Sequence, residues 1–162
     1  MLRVRIRFSL AAPIFFQNAC TFAVIDRCMR HIFQRYASDC FPTCIAMIAG
    51  LSHAKALKLV HPIRYKGQSY ETSDSRAVRV LRELGFKVRK RYIKDFTKLK
   101  QLAILALKVE GANFGHVVVW DPKSKRILNP TYKHNQHSYA DYSKRLEYAF
   151  IISLGKCKRG KK

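Results

Sequence analysis

The spacing of apolar residues predicts helices in the first half of the chain and strands in the second. Residues 45–49 form an unbroken apolar run closed by Gly50, as expected for a short buried helix with a C-terminal glycine. Asp39 lies where the N-cap would be, and Pro42 falls in the first turn, where the missing backbone N–H costs no helical hydrogen bond. The pattern therefore places Cys40 at the N-terminus of this helix.

Two more helices are predicted before the first strand. One covers residues 52–60, with Ser52 as its N-cap and a stop before Pro62. The other covers residues 73–85 and closes with Gly85. Its predicted buried face is formed by Ala77, Val78, Leu81 and Leu84. Arginines occupy the other side of this helix, as expected where only one face meets a core.

The second half has the composition and period of strands. Four stretches are predicted as strands from their apolar or alternating pattern: residues 86–93, 102–109, 117–120 and 148–154. Residues 126–128 return from a turn at 121–124 as a further strand, so that they form a β-hairpin with the strand before the turn. A helical turn over 139–146 precedes the last strand. Because helices precede strands, we predict an α+β fold with an antiparallel sheet.

The hairpin has a register that can be written from the sequence. We predict that Trp120 lies opposite Ile127. Two residues further from the turn, Val118 then lies opposite Asn129. The same period puts His116 on the face of Asn129 as a diagonal neighbour, about 7–8 Å away between backbones. Their side chains are then within reach of a hydrogen bond, and a register shifted by one residue would separate them.

Cys40 is a candidate nucleophile. At a helix N-terminus, unpaired N–H groups and the positive end of the helix dipole favour a thiolate, so we predict a depressed pKa for Cys40. The alternative is a cysteine that packs as a small apolar residue, which is our interpretation of Cys44. The two cysteines are also spaced to bind one metal ion from one helix face, but a structural zinc site needs four ligands and no second pair completes it. We therefore predict no metal site.

Several of these residues together carry a resemblance to a known family. Gln34 stands six residues before Cys40, which follows an aspartate, and a second cysteine comes four residues later in a helix with the sequence Ala-Met-Ile-Ala-Gly. Further on, Gly-His116-Val-Val-Val is followed, after a short hairpin, by Asn129-Pro. In this pattern the chain resembles the papain-like cysteine peptidase superfamily. Within it, the chain is most similar to the bacteriocin-processing peptidase family, which cleaves after double-glycine leaders.

The resemblance implies a site, a fold and a substrate class. The implied site residues are Cys40 as nucleophile, His116 as general base and acid, Asn129 as the group that orients the imidazole, and Gln34 as the oxyanion-hole side chain. The implied fold is papain-like, with N-terminal helices packed on an antiparallel sheet and the catalytic cysteine at a helix N-terminus. The implied substrate is a peptide or protein, and no cofactor is required.

The chain departs from the family pattern at two positions. Asn129 stands where this family often has aspartate, and asparagine has the same role in papain itself. Phe41 follows the nucleophile where the family usually has glycine. We expect this bulky side chain to narrow or block the mouth of the site.

The charge of the chain supports a second interpretation. Thirty-two lysines and arginines against ten acidic residues give a net charge of +22, which attracts nucleic acid, anionic surfaces and acidic proteins. The alternative to a peptidase is therefore a catalytically silent papain-like module that binds nucleic acid or an acidic partner. No zinc finger, RNA-recognition motif or helix-turn-helix is present in the sequence, so such binding would be non-specific.

The 162 residues suit one domain with short extensions. We predict a peptidase domain over 29–154, a basic disordered tail over 155–162, and a basic and apolar N-terminal extension over 1–28. That extension is either signal-like or an upstream addition from an earlier start codon, and it is too short and interrupted to span a membrane. The five cysteines lack a disulfide spacing, so we expect reduced thiols and a cytoplasmic location, with export left open by the signal-like start. The sequence does not define an oligomeric state.

Overall fold

The computed structural model describes residues 29–63, 70–111, 115–131 and 138–155. The predicted extension over 1–28 and nearly all of the predicted basic tail lie outside these residues, as do three of the five cysteines, namely Cys20, Cys28 and Cys157. The domain boundaries therefore stay a prediction.

Helices and strands follow one another in the order that the sequence pattern predicts. The helices are α1 (Cys40–Ala49), α2 (His53–Val60), α3 (Asp74–Glu83) and α4 (Tyr139–Arg145). The strands are β1 (Phe86–Arg91), β2 (Ala103–Leu107), β3 (His116–Asp121), β4 (Arg126–Leu128) and β5 (Leu146–Leu154). Each predicted element is present, and no end of a helix or strand differs from its predicted position by more than two residues.

The five strands form one sheet in the order β1-β5-β2-β3-β4, and every neighbouring pair is antiparallel. The predicted α+β class with helices on an antiparallel sheet is therefore confirmed. β5, which follows the other four strands in sequence, lies inside the sheet between β1 and β2. Successive residues of a strand face opposite sides, so both faces of the central strands need a cover.

Two hydrophobic cores provide that cover. On one face α1, α2 and α3 pack on the sheet, around side chains such as Ile45, Leu81 and Phe150. On the other face Phe96, from the connection between β1 and β2, and Tyr142, from α4, cover the remaining residues of the central strands. β2 is buried at all five positions because it has a layer on either side. Packing of these helices on the sheet places the segment around Cys40 next to β3.

Helix α1 begins and ends where the sequence predicts. Gly50 follows it in the left-handed conformation, at φ 63°, which only glycine adopts without strain. Asp39 occupies the N-cap position, but its side chain makes no cap hydrogen bond. The carboxylate instead turns back toward the preceding loop and toward His53 of α2. The predicted N-cap position of Asp39 is thus confirmed, and its side chain serves other contacts.

Helices α2 and α3 both begin at a serine cap, and the buried face of α3 differs from the predicted one. Ser52 and Ser73 accept hydrogen bonds from backbone N–H groups of the first turns of α2 and α3. In α3 the buried residues are Ala77, Val80 and Leu81, whereas Val78 and Leu84 of the predicted face are only half-buried. Along the described ranges no single helix is long and apolar enough to cross a membrane; α1 and α2 would qualify only as a pair bent by 119°, and α1 lies in the core.

Candidate functional site

The β3–β4 hairpin brings two predicted site residues together. Trp120 lies opposite Ile127, which confirms the predicted register. At the open end of the hairpin, His116 Nε2 lies 2.9 Å from Asn129 Oδ1. Asn129 is buried and His116 is half-buried, so this contact is sheltered from water on the Asn129 side. The short loop and the two-residue period of the strands are what place these side chains side by side.

The hydrogen bonds around Asn129 determine which nitrogen of His116 carries its proton. The backbone N–H of Thr131 can only donate, and it lies 3.0 Å from the Asn129 side-chain atom assigned as Oδ1. The amide nitrogen of Asn129 in turn donates to the Tyr142 hydroxyl at 3.0 Å. Because Oδ1 can only accept, His116 donates to it through Nε2–H. Neutral His116 therefore has its lone pair at Nδ1.

Cys40 lies at the first position of α1, which packs against β3. Its thiol is half-buried, and backbone groups of Val117, Phe41 and Cys40 itself are within hydrogen-bonding range of the sulfur. Val117 follows His116 in β3, so the sulfur lies against the same strand segment that carries the imidazole. The helix N-terminus and the start of β3 thus meet at this point.

The predicted depression of the Cys40 pKa is wrong in direction. Burial of the thiol raises the pKa above its ordinary value of 9.0, and the neighbouring Asp39 carboxylate raises it further. Backbone hydrogen bonds from Val117 and Phe41 lower it without cancelling the effect of burial. The helix-terminus argument assumed a solvated sulfur, whereas this one is half-buried against the core between the helices and the sheet.

Cys44 behaves as the predicted core residue. It is fully buried, its thiol donates to the Val117 carbonyl with a sulfur–oxygen distance of 3.6 Å, and burial raises its pKa well above 9.0. Both cysteines of α1 are free thiols. Among the residues with described positions, no group of three or more histidine, cysteine or acidic side chains is arranged to hold a metal ion.

Gln34 lies on the segment that leads into α1. Its backbone N–H donates to the carbonyl of Pro130 at 2.8 Å, which ties this segment to the residue after Asn129. Three residues earlier, His31 Nε2 lies 2.7 Å from the Asn129 carbonyl oxygen and donates to it. The side-chain oxygen of Gln34 is buried and has no hydrogen-bond partner. A buried polar atom of this kind is uncommon and calls for a functional explanation.

Three further residues contact the His116–Asn129 pair and were not predicted. Thr131 Oγ1 lies 3.1 Å from His116 Nε2, Tyr142 holds the Asn129 amide, and His31 binds the Asn129 carbonyl. Thr131 was within reach of a sequence argument, because it follows the Asn-Pro pair directly. Tyr142 and His31 come from α4 and from the segment before α1, and no local pattern in the sequence links them to the hairpin.

Phe41 does not cover the mouth of the site. Its side chain is buried in the core between α1 and the sheet, with its ring centroid 6.0 Å from that of Phe150 in β5. The expectation that it narrows substrate access is therefore wrong. Neighbouring residues of a helix point in directions about 100° apart, and here Cys40 faces β3 while Phe41 faces the core.

The fold was compared with known proteins. No family model and no curated protein sequence matches the chain. Among solved structures, it is similar to a double glycine motif protease from an AMS/PCAT transporter, crystallised with the leader peptide. The identity is 15%, the match covers 78% of this chain and 92% of the other, and the TM-score is 0.57.

A second similar structure is the peptidase domain of Streptococcus mutans ComA. The identity is 19%, the match covers 75% of this chain and 97% of that domain, and the TM-score is 0.52. Both likenesses extend over nearly the whole of the other domain, so they concern the complete fold and not one motif. The chain therefore has the papain-like α+β fold of the double-glycine peptidase domains, as its resemblance in sequence implies.

Proposed function

We propose that this protein is a cysteine peptidase that cleaves a peptide bond through an acyl-enzyme on Cys40. The observation that carries the proposal is the hydrogen bond from His116 Nε2 to Asn129 Oδ1, which leaves the basic lone pair at Nδ1. The strand that holds this imidazole also lies against the Cys40 sulfur. A thiol, an imidazole with a fixed tautomer and an amide that orients it are the parts of a thiol peptidase.

In the first step His116 Nδ1 takes the proton of the Cys40 thiol. The thiolate attacks the carbonyl carbon of the scissile bond, and the carbonyl π electrons move to oxygen. His116 then gives its proton to the leaving amine as the carbon–nitrogen bond breaks, which leaves a thioester on Cys40. Attack by water, with His116 again as base, releases the acid and restores the thiol. Asn129 keeps the ring in place through both half-reactions.

The oxyanion of each tetrahedral intermediate needs hydrogen-bond donors. The backbone N–H of Cys40, at the start of α1, has no acceptor inside the helix, and it has the positive end of the helix dipole behind it. The Gln34 side chain is half-buried with its oxygen enclosed, and in this proposal its amide nitrogen is the end that faces the substrate. We assign these two groups to the oxyanion hole, where each donor is typically worth about 3–4 kcal/mol.

For the substrate we propose a leader peptide that ends in two glycines. One structural neighbour is a double glycine motif protease in complex with the leader peptide. The half-buried position of Cys40 supports the same class here, since a recessed sulfur is reached most easily by a backbone without side chains next to the scissile bond. Cleavage would follow the second glycine. A cytoplasmic, reducing environment for this reaction stays a prediction.

Alkylation of Cys40 by iodoacetamide tests the role of His116 without a substrate. Because burial raises the pKa of the Cys40 thiol, little of it is thiolate at pH 7 unless a base takes the proton. If His116 takes the proton as the sulfur attacks, the raised pKa of the thiol no longer sets the rate alone, and the wild-type rate constant changes less between pH 7 and pH 9 than that of a thiol without its base. In His116→Ala we expect the rate constant to be at least about 10-fold lower at pH 7 and to rise about tenfold per pH unit toward 9. Mass spectrometry of the Cys40 peptide gives the rates.

The matched control is His61→Ala, which removes a half-buried histidine at the end of α2 that is bound to Tyr70 and Thr72. It should leave the Cys40 profile unchanged, and Cys44 should stay unlabelled in all three proteins because it is fully buried. Identical pH profiles for wild type and His116→Ala would show that His116 does not activate the thiol.

A cationic cleft supports binding of an anionic partner as a second candidate function. The cleft has a volume of about 530 Å³, and its floor includes Trp120 and Leu99, which are joined by a hydrogen bond from the indole N–H to the Leu99 carbonyl. Four of the eight residues that line it are lysines and none is acidic; they are Lys98, Lys100, Lys123 and Lys125. Their mutual repulsion is relieved when a polyanion binds.

Salt dependence of DNA binding checks this second function. We expect affinity for a short DNA duplex to fall steeply with salt, and the double substitution Lys100→Ala/Lys123→Ala to reduce the slope by about two, because each lost phosphate contact removes about one counterion. The control Lys55→Ala/Lys58→Ala removes two charges on α2, away from the cleft, and should change the slope less. If both double substitutions change the salt dependence equally, the cleft contributes no more to DNA binding than other positively charged parts of the surface.

A further inference from the structure

Asp39, the residue before the proposed nucleophile, forms a buried side-chain pair with His53 that the proposed chemistry does not use. Asp39 is fully buried, and its Oδ2 lies 2.6 Å from Nε2 of His53, a residue that is itself only 6% exposed. A carboxylate removed from water in this way needs several donors to be tolerated. Asp39 has two more, which are the backbone N–H groups of Arg35 at 3.2 Å and Tyr36 at 3.3 Å.

These two N–H groups belong to the residues directly after Gln34. The carboxylate therefore closes a small loop in which both residues following Gln34 are bound by the residue that precedes Cys40. At its other end Gln34 is bound through its own N–H to the Pro130 carbonyl. The backbone of Gln34 is thus fixed on both sides, once toward Asn129 and once toward the start of α1.

The position of the Asp39 carboxylate also affects the N-terminus of α1. An aspartate at the N-cap ordinarily accepts hydrogen bonds from the first turn of its helix and puts its negative charge there. Here the side chain makes no such bond, and only the Asp39 backbone carbonyl contacts the first turn, at the N–H and the hydroxyl of Thr43. No acidic side chain of the described residues is therefore hydrogen-bonded to the N-terminus of α1, and the Cys40 sulfur lies at this end of the helix.

We propose that His53 is a positioning residue for the oxyanion side of this site. By binding the Asp39 carboxylate, it holds that group on the Gln34 loop and away from the N-terminus of α1. Both proposed oxyanion donors, the Gln34 side chain and the Cys40 N–H, then keep their places. The inference rests on the proposed peptidase function for its effect on rate, whereas the arrangement of the loop does not depend on that function.

Two substitutions of His53 separate a positioning role from a general loss of structure. His53→Leu removes the donor and keeps an apolar side chain of similar size, and His53→Gln places an amide N–H where Nε2 stood. For cleavage of a peptide with a double-glycine leader, we expect kcat to fall about tenfold or more in His53→Leu, since a misplaced oxyanion donor loses part of a 10²–10³-fold effect. We expect KM to change less than twofold, and His53→Gln to restore kcat to within about threefold of wild type.

Amide hydrogen exchange gives a readout that needs no turnover. The N–H groups of Arg35 and Tyr36 should lose about tenfold or more of their protection in His53→Leu and keep it in His53→Gln, while those of Val60 at the far end of α2 keep theirs in both. If His53→Leu does not fold, Asp39→Asn serves in its place; it keeps the size of the side chain and removes its charge and one strong acceptor. The same two amides should then exchange faster. His61→Leu, at the end of the same helix, is the control and should alter neither kcat nor these amides.

The results distinguish this inference from the proposed function. Unchanged exchange at Arg35 and Tyr36 together with an unchanged kcat in His53→Leu would overturn the inference and leave the peptidase intact. An equal loss of kcat in His53→Leu and His53→Gln, with unchanged exchange, would also overturn it. A wild-type protein that cleaves no peptide, with exchange that responds to His53 as expected, would reject the peptidase and keep the role of His53 in holding the loop.

Discussion

Cys40→Ala is expected to lower the rate of leader-peptide cleavage by about four to six orders of magnitude. In the proposed mechanism the sulfur forms the covalent bond to the substrate, and no other described side chain in the site has a nucleophile at that position. What remains would come from binding and from the oxyanion donors, which act on an attacking water only weakly. Cleavage of a synthetic peptide with a double-glycine motif, followed by chromatography and mass spectrometry, measures the effect.

The matched control for this substitution is Cys44→Ala, one helical turn away. Cys44 is fully buried and donates only to the Val117 carbonyl, so its loss should lower stability slightly and leave the rate within a few-fold of wild type. Equal thermal stability of the two variants would show that any difference in rate comes from chemistry. A Cys40→Ala protein that keeps more than a tenth of the wild-type rate would remove Cys40 from the mechanism.

Phe41→Ala is expected to unfold the protein more easily without opening the site. The side chain is 6% exposed and packs against Phe150, so its removal leaves a cavity between α1 and the sheet. Phenylalanine-to-alanine changes in a core cost about 3–5 kcal/mol in the free energy of unfolding. For a domain of this size that corresponds to a melting temperature lower by about 6–20 °C. Denaturant titration and calorimetry measure both quantities.

Tyr92→Ala is the control for Phe41→Ala, because Tyr92 is 80% exposed and comes directly after β1. Its truncation should change the free energy of unfolding by less than about 1 kcal/mol. If Phe41→Ala left stability unchanged and raised the rate of cleavage, the side chain would be a gate at the mouth of the site after all. The position of its ring would then differ from the one described.

The hairpin shows how much of this site can be predicted from the sequence. The turn between β3 and β4 and the period of two determine the register with Trp120 opposite Ile127, and that register brings His116 to Asn129. Both are local properties of a dozen residues. The boundaries of α1 were equally accessible, because Gly50 and the position of Pro42 bracket it.

Features that depend on distant contacts could not be predicted in this way. The Asp39 side chain points away from the first turn of α1 because His53, fourteen residues later, binds its carboxylate at 2.6 Å. Phe41 turns into the core because β5 brings Phe150 beneath it. The pKa of Cys40 rises because burial outweighs the backbone donors around the sulfur. In each case the deciding group is supplied by another layer of the fold.

The place of β5 inside the sheet bears on how the protein is made. β1 and β2 do not pair with each other and are joined through β5, which follows the other four strands along the chain. During synthesis the hairpin with His116 and the helices around β1 can form, but the sheet that unites them waits for residues 146–154. A nascent chain therefore has no complete sheet before residues 146–154 have been made, so the strand that carries His116 and the strand that follows α3 stay unconnected until then.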